Sequence, residues 1–309
     1  MQRETRSFKS GTGCAFGTFG ELLQGVDTKE RDFLVTLPIN RFSNAKFTYY
    51  PSLGIIVSPS NKQKSRELAA LILRYYGYEE GGVLEINSNI PVGKGLASSS
   101  ADLVATARAL NECFDLQMTT EEIQSFLRHI EPTDGVMYEG VVSFYHRMVQ
   151  VNEFLGDLPK LTIIGFDEGG EVDTIDFNKL PKPFTQQEKS EYDELRRKIS
   201  KAIRQGDIKV IGEVATRSAV LNQKLRHKKF FNLILDICTE VEGLGVVAAH
   251  SGTCLGILLS PDHEGYETKL NTAYTALRLL GGEITIYQTW SSWTEASQRE
   301  FANRQVVSQ

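Results

Sequence analysis

The segment that most limits what this chain can become reads Ile90-Pro91-Val92-Gly93-Lys94-Gly95-Leu96-Ala97-Ser98-Ser99-Ser100-Ala101-Asp102. An alternating stretch, Gly82–Ile90, enters it as a strand, and the series Leu103, Ala107, Leu110 and Phe114 leaves it as one face of a helix. Gly93, Gly95 and the first serines therefore sit at a helix start, where backbone N–H groups lack intrahelical acceptors and the dipole presents its positive end. Such a place receives anions. Glycine lets the backbone approach phosphate oxygens, serine hydroxyls can donate to phosphate or ligate Mg²⁺, and Lys94 adds a movable positive charge. Taken alone, the segment fits a tight turn with a helix cap equally well. Two other phosphate loops do not fit it. A GxxxxGK[ST] loop needs glycine where the chain has Ser88 and Ser or Thr where it has Gly95; a GxGxxG fingerprint needs glycine where it has Ser98, and several hairpin-spaced strands precede it.

Around this loop the pattern is α+β. Short strands are predicted near Ala15–Leu23, Phe33–Pro38, Ala45–Tyr50 and Gly54–Ser58, then a helix over Ser65–Tyr76. After the loop helix, Thr119 or Thr120 ahead of Glu122 caps another that ends before Pro132, and strands follow at Val141–Phe144 and Leu161–Phe166. A polar, proline-bearing stretch, Phe177 to Phe184, reads as an inter-domain linker and divides the chain into 1–178 and 179–309. Thr185 with Glu188 opens a helix whose inward stripe is Tyr192, Leu195, Ile199 and Ala202. Helices near Lys209–Leu225, Phe231–Val241 and Tyr266–Leu280 and strands near Val246–Ala249, Leu255–Leu259 and Glu283–Gln288 complete the second unit.

Composition narrows the partners. With 34 basic and 39 acidic side chains the net charge is −5, so no general field draws in a polyanion, and nucleic acid is not expected. The amino terminus lacks the apolar core of a signal peptide and no stretch reaches the ~18 apolar residues of a membrane span, which points to a cytoplasmic protein with no membrane partner. Four dispersed cysteines without a CxxC, and five histidines without HExxH spacing, suit a reducing compartment and no zinc site.

The run Pro91-x-Gly93-x-Gly95-Leu96-Ala97-Ser98-Ser99-Ser100 resembles the phosphate loop of the GHMP kinases, a family of galactokinases, homoserine kinases, mevalonate kinases and phosphomevalonate kinases. Two further segments are similar to the family's other motifs: Ala15-Phe16-Gly17-Thr18-Phe19-Gly20-Glu21-Leu22-Leu23-Gln24-Gly25 and His250-Ser251-Gly252-Thr253-Cys254-Leu255-Gly256. Together they span most of the chain. The resemblance implies an amino-terminal domain like the second domain of ribosomal protein S5, a ferredoxin-like carboxy-terminal domain, and ATP with Mg²⁺ as cofactors. It makes Pro91, Gly93, Lys94, Gly95, Leu96, Ala97, Ser98, Ser99 and Ser100 nucleotide contacts, and Thr18, Glu21, Gly252 and Thr253 substrate contacts. Gly20-Glu21-Leu22-Leu23-Gln24-Gly25 and Glu131-Pro132-Thr133-Asp134 resemble most the L-threonine kinase branch, linked to cobalamin side-chain synthesis. Phe16 stands where proline is usual, and Thr18 where mevalonate kinases carry the lysine of a lysine-assisted transfer.

Phosphoryl transfer needs positioned ATP, neutralised charge and a group that orients or deprotonates the attacking hydroxyl. Asp134 occupies a place similar to the family's catalytic aspartate and is the expected base, although aspartate before glycine also closes turns. Glu131 is a candidate Mg²⁺ ligand with Ser99. Glu21 lies in a polar break within a strand, where it faces a substrate amine or hydroxyl or else solvent. His250 reads as a satisfied turn or core histidine outside the catalytic set. The expected activity is transfer of the γ-phosphate of ATP to the side-chain hydroxyl of an amino acid, L-threonine first. Homoserine, serine or another amino alcohol is the alternative acceptor, and a nucleotide-binding regulator without catalysis is the alternative class. The chain is expected as monomer or homodimer.

Overall fold

In the structure, a computed structural model describing residues 9–51, 53–170 and 182–291, two long strands set the frame. β1 (Ser10–Val26) and β2 (Asp32–Thr48) pair antiparallel from Ser10↔Thr48 to Val26↔Asp32. Asp27 closes the connection, its carboxylate accepting from the N–H groups of Lys29 at 3.0 Å and Arg31 at 2.9 Å, as turn aspartates do. The first three short strands expected from the pattern are thus parts of two, whereas Gly54–Ser58 stands alone as expected. The pattern breaks because the register shifts near Phe16, Thr18 and Glu21, and the one-residue shifts at Thr18 and Glu21 reverse which side chains share a face across the pair.

β3 (Gly54–Ser58), α1 (Gln63–Tyr75) and β4 (Gly81–Ser88) form a parallel crossover on β2. α2 (Ser98–Phe114) lies across β1. The approach is close because both surfaces are small: a Cβ on Gly11 would stand 2.2 Å from the Cys113 nitrogen, and one on Gly13 would stand 2.1 Å from the Ala105 carbonyl oxygen. α3 (Thr120–Arg128) starts at Thr119 with both halves of a capping box formed to Glu122, and β5 (Val141–Tyr145) joins β2 and β6 (Gln150–Gly156).

The second unit is built on β7 (Thr162–Asp167), β8 (Gly245–Ala248), β9 (Cys254–Leu259) and β10 (Glu283–Gln288), in spatial order β10-β7-β9-β8. Numbered along the chain that order is 4-1-3-2, and helices fill both crossovers, which is the ferredoxin-like split β-α-β pattern. α4 (Gln186–Gln205), α5 (Ile208–Asn222) and α6 (Phe231–Glu240) occupy the first crossover and α7 (Tyr266–Arg278) the second. The expected stripe of α4 is buried; Tyr192 lies over Gly25, leaving no room there for a Cβ. β7 pairs with β9 and β10 along its whole length, and Ile164 and Phe166 join the carboxy-terminal core. A division at 178/179 would cut β7 from these partners, so the pairing places β7 with the second unit; residues 171–181, where most of the expected linker falls, lie outside the described residues. A single residue pair, Glu21↔Ala248, joins β1 to β8 and makes one ten-stranded α+β sheet of the two units. Among the described residues no helix is long and apolar enough to cross a membrane, and all four cysteines are free.

Candidate active site

The seam at Glu21 opens into a cleft of about 230 Å³. Its wall is the loop before α2. Gly93 (φ 73°), Gly95 (φ 78°) and Ala97 (φ 60°) all take left-handed backbone, which turns the chain sharply into the helix. No side chain caps α2, so the N–H groups of its first turn remain available to a ligand. The loop is held from behind. Thr18 N–H donates to the Leu96 carbonyl at 3.1 Å, Gly20 N–H to Gly95 at 3.1 Å, and Thr253 N–H to Lys94 at 3.3 Å. Gly252 packs so tightly that a Cβ on it would stand 1.9 Å from the Lys94 carbonyl oxygen.

Those contacts give Thr18, Gly252 and Thr253 a different place from the one expected. They brace the loop, and none lines the cleft, although Glu21 and Ser251 beside them do. Lys94 also turns away. Its ammonium lies 2.6 Å from Asp167 Oδ2 and donates to the Gly170 carbonyl at 2.8 Å, tying the loop to the end of β7. Pro91 is likewise outside the lining, whereas Gly93, Gly95, Leu96, Ala97, Ser98, Ser99 and Ser100 face the cleft.

Across from the loop, the segment after α3 brings Glu131 and Asp134 to the first turn of α2. The Ser99 hydroxyl and the Lys64 ammonium each donate to Glu131, one to each carboxylate oxygen. Ser100 Oγ accepts from the Asp134 N–H at 3.1 Å and donates to Asp134 Oδ2 at 3.2 Å. Burial, reinforced by the negative charges of Glu21 and Glu131, pushes the Asp134 carboxyl up to about 7. A carboxyl with that value is half ionised near neutrality, the condition that suits general-base work.

Glu21 is the anchored acid of the group. Its Oε2 accepts from the His250 N–H at 3.2 Å and from His250 Nδ1 at 2.8 Å, both residues being buried. Ser218 Oγ accepts from the Gln24 N–H and therefore has its own proton to give His250 Nε2 at 3.0 Å; this assigns the Nδ1–H tautomer. His250 thus orients Glu21, a role the bland reading of a satisfied histidine left out. Sequence reasoning also passed over Lys64 and His146. Lys64 sits among the evenly spaced charges of α1, which look like a solvated face, and no spacing signal links either residue to the loop.

Ser99 and Glu131 fit a magnesium ion: both offer hard oxygen ligands in mutual contact, and Mg²⁺ commonly takes one or two such groups and fills the rest with phosphate and water. No larger metal-binding cluster of His, Cys, Asp and Glu occurs among the described residues.

A helix start shaped as a phosphate cradle, facing a carboxyl poised near neutrality, defines an ATP-type phosphotransferase site with an alcohol acceptor. The comparisons agree. A family model for the GHMP kinases N terminal domain matches residues 64–140. An L-threonine kinase from Citrobacter freundii is 26% identical over 246 residues, 78% of this chain and 83% of the relative, and one from Salmonella typhimurium is 28% identical over 251 residues, 78% and 80% of the two chains. Among solved structures, a homoserine kinase from Cytophaga hutchinsonii superposes with TM-score 0.71 at 16% identity, covering 94% of this chain and 97% of that one. L. major mevalonate kinase superposes with TM-score 0.66 at 17% identity, covering 94% and 98%. Residues 64–140 thus match the GHMP kinases N terminal domain, and the chain as a whole shares the fold of these solved kinases.

Proposed function

We propose that the chain transfers the γ-phosphate of ATP to the side-chain hydroxyl of an amino acid, L-threonine first. The observation that carries this reading is the convergence of Ser99, Glu131, Asp134 and Glu21 on one cleft beside the loop. ATP lays its phosphates along Gly93–Ser100. Ser99 and Glu131 would hold Mg²⁺, which when bound neutralises charge on the transferred group. Asp134 hydrogen-bonds the acceptor hydroxyl and takes its proton as the oxygen attacks the γ-phosphorus. The bond from phosphorus to the bridging oxygen then breaks, and ADP leaves with the electron pair. Lys94, held by Asp167, takes no part. Retention of Ser99, Glu131 and Asp134 together argues against an inactive regulator.

The choice of L-threonine is supported by the two curated relatives that carry that name at 26% and 28% identity. Following ADP formation with ATP, Mg²⁺ and a panel of L-threonine, L-serine, L-homoserine and simple amino alcohols tests it. L-Threonine should give the highest kcat/KM; higher values for homoserine or an amino alcohol would keep the chemistry and reassign the acceptor.

A further inference from the structure

The acceptor end of the cleft carries two buried polar groups that the transfer chemistry leaves idle. His146, on the turn after β5, is 4% exposed, lines the cleft, and has no hydrogen-bond partner at either ring nitrogen. Gln24, on β1, is 8% exposed, lines the same cleft, and its side-chain oxygen is also unpartnered. Buried polar groups nearly always find partners and one left unmade is costly, so a ligand that satisfies them gains accordingly. Glu21 adds a carboxylate beside them.

Burial, with Lys182, Arg147 and His250 nearby, pushes His146 down to about 3, so its ring is neutral and one nitrogen offers a lone pair. Gln24, His146 and Glu21 together therefore present an amide oxygen, an imidazole nitrogen and a carboxylate: three acceptors and one negative charge. A hydroxyl has one proton and cannot satisfy them. A primary ammonium has three N–H donors and one positive charge. We infer that Gln24, His146 and Glu21 form an ammonium subsite that seats the amino group of the acceptor. The inference rests on the reading of the chain as an amino-acid kinase. In L-threonine the amino and hydroxyl groups sit on adjacent carbons, so an ammonium against Glu21 leaves the hydroxyl free to face Asp134, which lines the same cleft. The cation would also steady the oxygen as it loses its proton.

The test compares three acceptors with the intact chain: L-threonine, 1-amino-2-propanol, which keeps the amine and lacks the carboxylate, and 3-hydroxybutanoate, which lacks the amine. Wild type should use both amines and discriminate against the hydroxy acid by about 100-fold or more in kcat/KM, as sites built for a charged hydrogen-bond donor do. Gln24→Leu and His146→Leu should raise the KM for L-threonine by about 10- to 100-fold, leave the KM for ATP unchanged, and narrow that discrimination. Gln24→Glu and His146→Gln, which keep an acceptor, should restore the low KM. If the leucine variants fail to melt cooperatively, these two and the wild-type analogue series carry the test. L-Threonine KM values within about threefold of wild type in folded leucine variants would overturn the subsite while leaving the kinase reading intact, given the effect expected of one charged hydrogen bond. Equal use of 3-hydroxybutanoate and L-threonine would do the same. No turnover of any amine or hydroxy acid would remove both.

Discussion

Asp134 shows how one residue can shape both rate and stability. Asn at this position can still hold the acceptor hydroxyl but cannot take its proton, so Asp134→Asn should bind ATP normally and lose about 10²-fold in kcat, the low end of general-base effects because a loose phosphoryl-transfer transition state needs less help. Steady-state turnover at saturating ATP and acceptor measures this. Because the wild-type carboxyl is raised to about 7, kcat/KM should climb through neutral pH and level off above it, and the variant should lack that inflection. Stability runs the other way. A carboxyl raised in the folded state favours the fold fully below its unfolded value near 4, and that contribution disappears as pH rises through 7. Thermal melts of wild type and Asp134→Asn should therefore diverge from pH 4 to pH 8, with the variant gaining by no more than about 4 kcal/mol. Parallel melting curves across that range would mean that Asp134 ionises freely.

At the scale of elements, the loop and its brace act together. Gly252→Ala would drive a Cβ into the Lys94 carbonyl and the Gly95 nitrogen, so it should lower the melting temperature and weaken ATP affinity by about tenfold or more, the loop's backbone being displaced. Gly265→Ala is the control: its left-handed backbone (φ +77°) has open space around it, so only the conformational cost of about 1–2 kcal/mol should appear, with ATP binding intact. Calorimetry with and without nucleotide separates the two. The loop and the helix it feeds were legible in the sequence because glycines, serines and an apolar period occur in one short run. β6 was not: only Leu155 on it is fully buried, and an exposed edge strand leaves little apolar signal. Glu131 and Ser99 could be named as partners, but Lys64, which completes their contact, comes from α1, and only the packing of α1 against α2 and α3 brings it there. Lys94 looked like a phosphate contact because sequence cannot show that Asp167, at the end of β7, will stand beside it.

For the whole molecule, the site lies where the two units meet. Glu21 and Ser99 come from the first unit and Ser251 and His250 from the second, and the strands bridge between them at Glu21↔Ala248 and Ile39↔Thr289. Ligands that span this seam should stabilise both units at once: ATP at about 100 times its Kd adds about 2.7 kcal/mol, which thermal melts should register as one shifted transition for the whole chain. Two transitions, only one of them moved by ATP, would mean that the seam does not couple the units. The helices and later strands of the second unit were legible along the chain from their alternating signals, but the place of β7 was not, because pairing between residues so far apart in sequence has no local signature. The central claim is that this cleft joins ATP to an amino-acid hydroxyl, and phosphorus NMR of a reaction with ATP, Mg²⁺ and L-threonine tests it most directly. The account predicts a phosphate-ester signal of O-phospho-L-threonine growing in step with ADP, one for one. ADP appearing at the same rate with and without L-threonine, with inorganic phosphate the only other product, would contradict it.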